Sequence, residues 1–364
     1  MSETRVAEVA RIVSHADALL AGGDVRSAID LLTGANRQQQ TPDLERALVR
    51  TRHEGVASLP APARSIGGAQ VIVAESGGDL FEVDAAHLTA ATVRAGFAQS
   101  GCVLVRGLVP PERVAHLVDG IDATYAAFDA AAAGDNAYDE AWYWPFPMPD
   151  LISPANAGEA VVLAPGAPPA GRPMPANVHR RFTRDGGGIW TVDSPRMLFE
   201  LFELVDDLGI GAVIAEFLGE RALLSANKCN VRRVPAEEKP GGWHQDGAFL
   251  GEDVGAFNLW ISLSPCGVEA PGLDLVPKRF DHLVESGSDD AYFKWSLSDH
   301  DVEVAAAGVR IVRPEFEAGD ALLFDHRLVH RTGTSPDMIH ERHAIEAWWF
   351  SPSAFPPSQL PLVH

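Results

Sequence analysis

Gly319–Gly333 reads GDALLFDHRLVHRTG. Gly319-Asp320 is a turn signal, ALLF is a short apolar run of strand length, and His330 follows ten residues after Asp320. This histidine gains meaning from an earlier stretch, GGWHQDGAFLG at Gly241–Gly251. Read as a strand, that stretch puts His244 and Asp246 on one face and Trp243 and Gln245 on the other, because side chains alternate. One imidazole and one carboxylate are two thirds of a 2-His-1-carboxylate facial triad, a ligand set that suits non-haem iron(II) and leaves positions open. The third ligand is then a histidine on a distant strand that returns alongside the first, and His330 fits that place. There are 13 histidines, and His326, His340 and His343 are its rivals. His326 comes before the chain has left the strand after the Gly-Asp turn, and His343 takes the opposite face from its neighbour Arg342.

Arg342 lies twelve residues beyond His330, in HERHAIEAWWF (His340–Phe350), on what reads as the next strand. A guanidinium is a planar fork that grips a carboxylate bidentately, which lysine does less well. The surrounding sequence alternates short apolar runs with turn signals: ALLSANKCNVRRV, GAFNLWISLSP, GLDLVP, GDALLFDH and HAIEAWWF. Many short strands of this kind favour a double-sheet or barrel β fold. In AFNLWISLS, alternation puts Asn258, Trp260 and Ser262 on the more polar face, which we assign to the pocket. Asn230 sits on the strand before the His-x-Asp pair, with Lys228 at the same parity.

Taken together these pieces resemble the phytanoyl-CoA dioxygenase family of Fe(II)- and 2-oxoglutarate-dependent oxygenases. The likeness runs from GFAQSGCVLVRGLVPPERV (Gly96–Val114) to near the C-terminus, and is closest in WHQD, LWISLSPCG, PGLDLVPKR and GDALLFDHRLVHRTG. The resemblance implies an α+β chain with a double-stranded β-helix core, jelly-roll or cupin-like, flanked by helices. It implies that His244, Asp246 and His330 hold iron(II) and that Arg342 binds the far carboxylate of 2-oxoglutarate. Thr332 matches a hydroxyl position that supports the same carboxylate, and Trp260 an aromatic that lines the cofactor pocket. Asn258 and Asn230 join the cofactor candidates. The implied reaction consumes O2 and 2-oxoglutarate, releases succinate and CO2, and hydroxylates or otherwise oxidises a small-molecule substrate. Where family members often read PGSH, this chain has PKRF at Pro277–Phe280. Asp246 separates the chain from related halogenases, in which chloride takes the place of the carboxylate.

The remaining sequence frames this site. The 364 residues carry a formal net charge of -21, which repels nucleic acid and anionic membranes over long range. Cys102, Cys229 and Cys266 are odd in number and widely spaced, against a disulfide framework or zinc site. MSETRVAEVA lacks a basic region followed by an apolar one, and no run approaches ~18 apolar residues, so a cytoplasmic protein is expected. Residues 1–57 read as helices with a tetratricopeptide-like pair in ADALLAGGDVRSAIDLLTGA, to be packed on the main domain or on another subunit. Residues 58–68 read as a linker, and 69–364 as the oxygenase domain. Within it, SPRMLFELFELVDDLGIGAVIAEFLG reads as one helix, and about 130–193 as a proline- and glycine-rich lid-like insert. Its HRRFTR (His179–Arg184) reads as a solvated loop with surface ion pairs, or as a clamp by Arg180 and Arg181 on an anionic substrate group. Trp243 and Phe249 are equally core aromatics or substrate contacts. Two other readings compete: a non-catalytic binding protein on an oxygenase-like fold, docking through its N-terminal helices, and a cupin-like metalloenzyme that does not use 2-oxoglutarate.

Overall fold

Three helices begin the chain, the second and third with side-chain caps. The computed structural model describes residues 3–60, 79–135, 137–148, 175–237, 241–288, 290–291 and 293–364. Helix α1 (Glu3–Ala21) stops at Gly22-Gly23, and Asp24 then accepts a hydrogen bond from the Ser27 amide to start α2 (Val25–Gln38). Thr41 accepts from the Leu44 amide and starts α3 (Pro42–Glu54), with proline in the first turn. Each cap satisfies an amide that helical geometry leaves orphaned. Ala28, Leu32, Leu44 and Leu48 of these helices share one buried cluster with Phe199, Leu223 and Val363, so the helices pack on the main body. Arg37–Glu203 at 2.6 Å and Arg196–Glu45 at 2.8 Å bridge the same junction. The expected linker at 58–68 lies outside the described residues from 61 onward, as does 149–174 of the expected insert.

Next come β1 (Glu82–Asp84), α4 (Ala90–Ser100), β2 (Cys102–Arg106), α5 (Pro111–Ala132), α6 (Ala176–Asp185) and β3 (Gly188–Trp190). The long helix expected after Ser194 is instead two, α7 (Pro195–Asp207) and α8 (Ile210–Leu218). Gly209 between them has φ 64°, a left-handed backbone that ends the first helix. The HRRFTR segment is also corrected: it lies in helix α6, and Arg180 is held in a partly buried ion pair with Asp193 at 2.6 Å.

The remaining elements are mostly strands. They are β4 (Leu223–Ser225), β5 (Asn230–Val234), β6 (Trp243–His244), α9 (Gly247–Leu250), β7 (Ala256–Ser262), β8 (Gly272–Leu275), β9 (Ser296–Leu297), α10 (Asp299–Ala306), β10 (Ala321–Phe324), β11 (His330–Gly333), β12 (Arg342–Phe350) and β13 (Pro361–Val363). Among the described residues they build a nine-stranded sheet, with β2-β10-β7-β12-β4 at its centre, and a four-stranded sheet in the order β8-β11-β6-β9. This is the expected double-stranded β-helix core with helices outside it.

Strand β12 shows how the layers form. Ile345, Ala347 and Trp349 join the cluster that the helices cover, with Met197 and Leu201 of α7. The alternate residues Ala344, Trp348 and Phe350 join a second cluster with Leu273 and Leu275 of the smaller sheet. Arg342 and Glu346 share the parity of that second set, so the period of two turns both charges inward. Among the described residues, no helix is long and apolar enough to cross a membrane.

Candidate metal centre

The three expected ligands come together at the smaller sheet. His244 and His330 are directly opposed in the antiparallel pair of β6 and β11, and their ring centroids are 4.4 Å apart. Asp246 arrives by a different route from the one expected. Strand β6 ends at His244, and Asp246 takes helical angles (φ -60°, ψ -26°) where it caps α9. The turn replaces strand alternation, yet His244, Asp246 and His330 each place one donor atom within 4.8 Å of the others. Asp246 Oδ2 is 3.5 Å from His330 Nε2.

The second nitrogen of each ring is engaged. His244 Nδ1 lies 2.8 Å from the Gly242 carbonyl and His330 Nδ1 lies 3.1 Å from the Leu328 carbonyl. A carbonyl only accepts, so each Nδ1 carries the proton, which leaves Nε2 as the nitrogen for a metal. Burial, reinforced by the neighbouring His330, pushes His244 down to about 4, so its imidazole is neutral at ordinary pH. Burial alone would raise Asp246, but Lys228 and the two histidines outweigh it and hold the carboxylate below its usual range. Two imidazole nitrogens and one carboxylate oxygen fit iron(II) and leave its remaining positions open. The rival histidines are elsewhere: His326 Nε2 meets the Glu252 carbonyl, His343 pairs with Asp122, and His340 is exposed.

Arg342 begins β12 and is 1% exposed. Its Nη1 donates to the carbonyls of Pro271 and Gly272, its Nε is buried without a partner, and its guanidinium lies 5.5 Å from the Trp260 ring. Among the described residues it forms no ion pair. Burial drives its pKa down to about 10, which still leaves it charged at neutral pH. A buried cation with an idle donor and no protein carboxylate fits one carboxylate of a bound diacid. Thr332 shares the His330 face of β11 and pairs with Leu273, one ladder step from the Gly272 that holds Arg342. Asn230 and Asn258 stand opposite Glu346 and Trp348 on the inward face, each with a buried, unpartnered Oδ1.

The other candidates divide. Phe249 lies 6.2 Å from the His244 ring, beside the ligands. Trp243 faces away: it is 3% exposed, packs with Val276, Phe280 and Leu297, and donates from Nε1 to Asp299. Arg180 is committed to Asp193 and the Phe146 carbonyl, and Arg181 is exposed on α6.

Three neighbours of the site went unread in the sequence. Trp295 lies 5.5 Å from the His244 ring and stacks on Phe293 at 4.6 Å, and Phe293 in turn meets Phe182 of α6. Glu346 and Arg232 form a partly buried pair at 2.6 Å. A lone acid at inward parity in HAIEAWWF was a usable signal for Glu346. Nothing local marked Trp295.

Comparison with known proteins agrees with this geometry. The phytanoyl-CoA dioxygenase (PhyH) family matches residues 97–343, a span that holds all three candidate ligands and Arg342. The match begins after the N-terminal helices, and their tetratricopeptide likeness is not confirmed. No curated protein matches the chain. Similar solved structures include EctD from S. alaskensis with bound Fe, at 15% identity and TM-score 0.47, covering 73% of this chain and 78% of that one. AviO1 from Streptomyces viridochromogenes Tue57 is 17% identical with TM-score 0.42, covering 74% of this chain and 98% of that one. The epimerase SnoN, solved with Fe3+, alpha ketoglutarate and nogalamycin RO, is 16% identical with TM-score 0.41, covering 72% and 83%. With more than half of its length matched and the ligand set assembled, the chain belongs to the phytanoyl-CoA dioxygenase family.

Proposed function

We propose that this protein is an iron(II)- and 2-oxoglutarate-dependent dioxygenase that hydroxylates a small-molecule substrate. The observation that carries the reading is the convergence of His244, Asp246 and His330 within 4.8 Å, from segments more than eighty residues apart. The bound iron would supply O2 activation, coupled to decarboxylation of 2-oxoglutarate to succinate and CO2, so that a substrate C–H becomes C–OH. The chain supplies the rest. Two carbonyls fix the imidazole tautomers, and Arg342, with Thr332 one ladder step away, holds the far carboxylate of the co-substrate. The rings of Phe249 and Trp295 lie against one side of His244. Substrate enters on the side where Phe293 and Phe182 continue that aromatic wall towards α6.

The test is anaerobic. Adding Fe(II) and then 2-oxoglutarate to the metal-free protein is expected to give the weak visible band of an iron–keto-acid chelate. His244→Ala and Asp246→Ala are expected to lose both the band and substrate-dependent succinate formation while retaining the circular dichroism of the fold. Wild-type turnover by either variant would refute the assignment.

A further inference from the structure

Lys228 sits in the turn between β4 and β5, sixteen residues before His244. The turn is firmly built. The Lys228 amide donates to Ser225 Oγ, the Asn227 side chain donates to the Ser358 carbonyl, and it accepts from the Leu360 amide. From this base the lysine reaches inward until its ammonium lies 5.0 Å from the Phe249 ring and 5.6 Å from that of Trp348. There it is 2.9 Å from Asp246 Oδ1 and 3.0 Å from Glu346 Oε1. Glu346 is in turn satisfied by Arg232 on its other oxygen and by the Trp348 indole.

The two oxygens of Asp246 therefore have separate surroundings. Oδ2 lies on the His330 side, and Oδ1 lies against the ammonium. We propose that Lys228 is a positioning residue that holds Asp246 as a one-oxygen metal ligand, by engaging Oδ1 directly. This rests on the metal-site reading above. A carboxylate free to chelate through both oxygens takes a position that the co-substrate or O2 needs, whereas a facial triad works by leaving those positions open. Partners behind the ligands commonly set their orientation, and losing one typically costs 10–100-fold in metal affinity.

A rival reading makes the opposite prediction. If Lys228 were only a cation competing with the metal for Asp246, its removal would relieve repulsion and tighten metal binding. Co(II) titration of the metal-free full-length protein separates the two, because its d–d spectrum also reports coordination geometry. Lys228→Met is expected to weaken Co(II) binding by about 10–100-fold and to change the d–d bands. Arg232→Met, which removes a partner of Glu346 but touches no atom of Asp246, is expected to stay within a few-fold of wild type with unchanged bands. Should Lys228→Met not fold, Lys228→Gln carries the same comparison, since the shorter amide cannot span both carboxylates. Unchanged or tighter Co(II) binding with wild-type bands in the Lys228 variant overturns the proposal. So does an equal loss in Arg232→Met, which would mark a general disturbance of buried charge. Failure of the wild-type protein to bind Co(II), or of His244→Ala to reduce binding, sinks the metal-site reading itself.

Discussion

Arg342 has the charge that its proposed role needs and a shape that matters as much. Its Nη1 is fixed by two carbonyls and its Nε is unpartnered, so the fork is oriented before any ligand arrives. Lysine at this position keeps the charge and loses the fork. Arg342→Lys is therefore expected to raise the apparent dissociation constant for 2-oxoglutarate about tenfold or more, since a hydrogen bond to a charged group contributes about 1.5–3 kcal/mol. Turnover should largely recover at saturating co-substrate, and a 2-oxoglutarate titration of the anaerobic Fe(II) protein checks this directly. His244 makes a second prediction, about acid. Its ordinary value is 6.5 and burial brings it to about 4 in the fold, so between these values the unfolded chain binds the extra proton and the folded one does not. Stability of the metal-free protein is then full above pH 6.5 and lost as pH falls towards 4, by a contribution on the order of 3 kcal/mol. Asp246 and Glu346, both held below their usual range, extend the loss to lower pH with the same sign. Unfolding midpoints across pH 7 to 4 should show a shallower slope in His244→Gln than in wild type, and equal slopes would remove His244 from this role.

Glycine marks two element boundaries, the end of α7 and the turn before β10, and the two cases differ in kind. At Gly209 the backbone is left-handed (φ 64°) and a Cβ would meet nothing within 4 Å. Gly209→Ala should thus cost only the conformational strain, roughly 1–2 kcal/mol. Gly319 is also left-handed (φ 99°), but a Cβ there would overlap the Val109 carbonyl, so Gly319→Ala should cost distinctly more. Denaturant unfolding of the two variants measures the difference, and equal losses would show that the Val109 contact yields without cost. The Gly319-Asp320 turn was legible because its signal is local, as was the apolar run of ALLF. His330 was legible because its spacing and parity survive folding intact. Asp246 reached the site although the reasoning about it was incomplete: alternation assumed a strand where the chain turns into α9. The break at Gly209 was obscured because apolar periodicity continues across it. Trp295, Arg232 and the clasp of Lys228 on Asp246 were hidden for another reason. Each depends on segments brought together only by the sheet, and neither composition nor local period encodes that.

Taken as a whole, the molecule joins its N-terminal helices to the main body by a shared core and by buried charge. Glu45 of α3 is fully buried and meets Arg196 of α7, while Leu32 of α2 lies in one cluster with Phe199, Leu223 and Val363. Helices that hide apolar surface of the body should melt with it. All eight tryptophans lie between Trp142 and Trp349, so indole fluorescence reports the body alone, whereas far-ultraviolet circular dichroism reports both parts. Leu32 is 0% exposed, and its truncation to alanine should cost about 2–5 kcal/mol, the range for a fully buried leucine. If the parts unfold as one, Leu32→Ala lowers the fluorescence midpoint although no tryptophan lies in residues 1–57, and the dichroism midpoint falls with it. An early loss of helical signal, with the tryptophan transition left at its wild-type position, would instead make the N-terminal helices an independent unit. Their contact with Phe199 and Val363 would then contribute nothing to the stability of the metal centre.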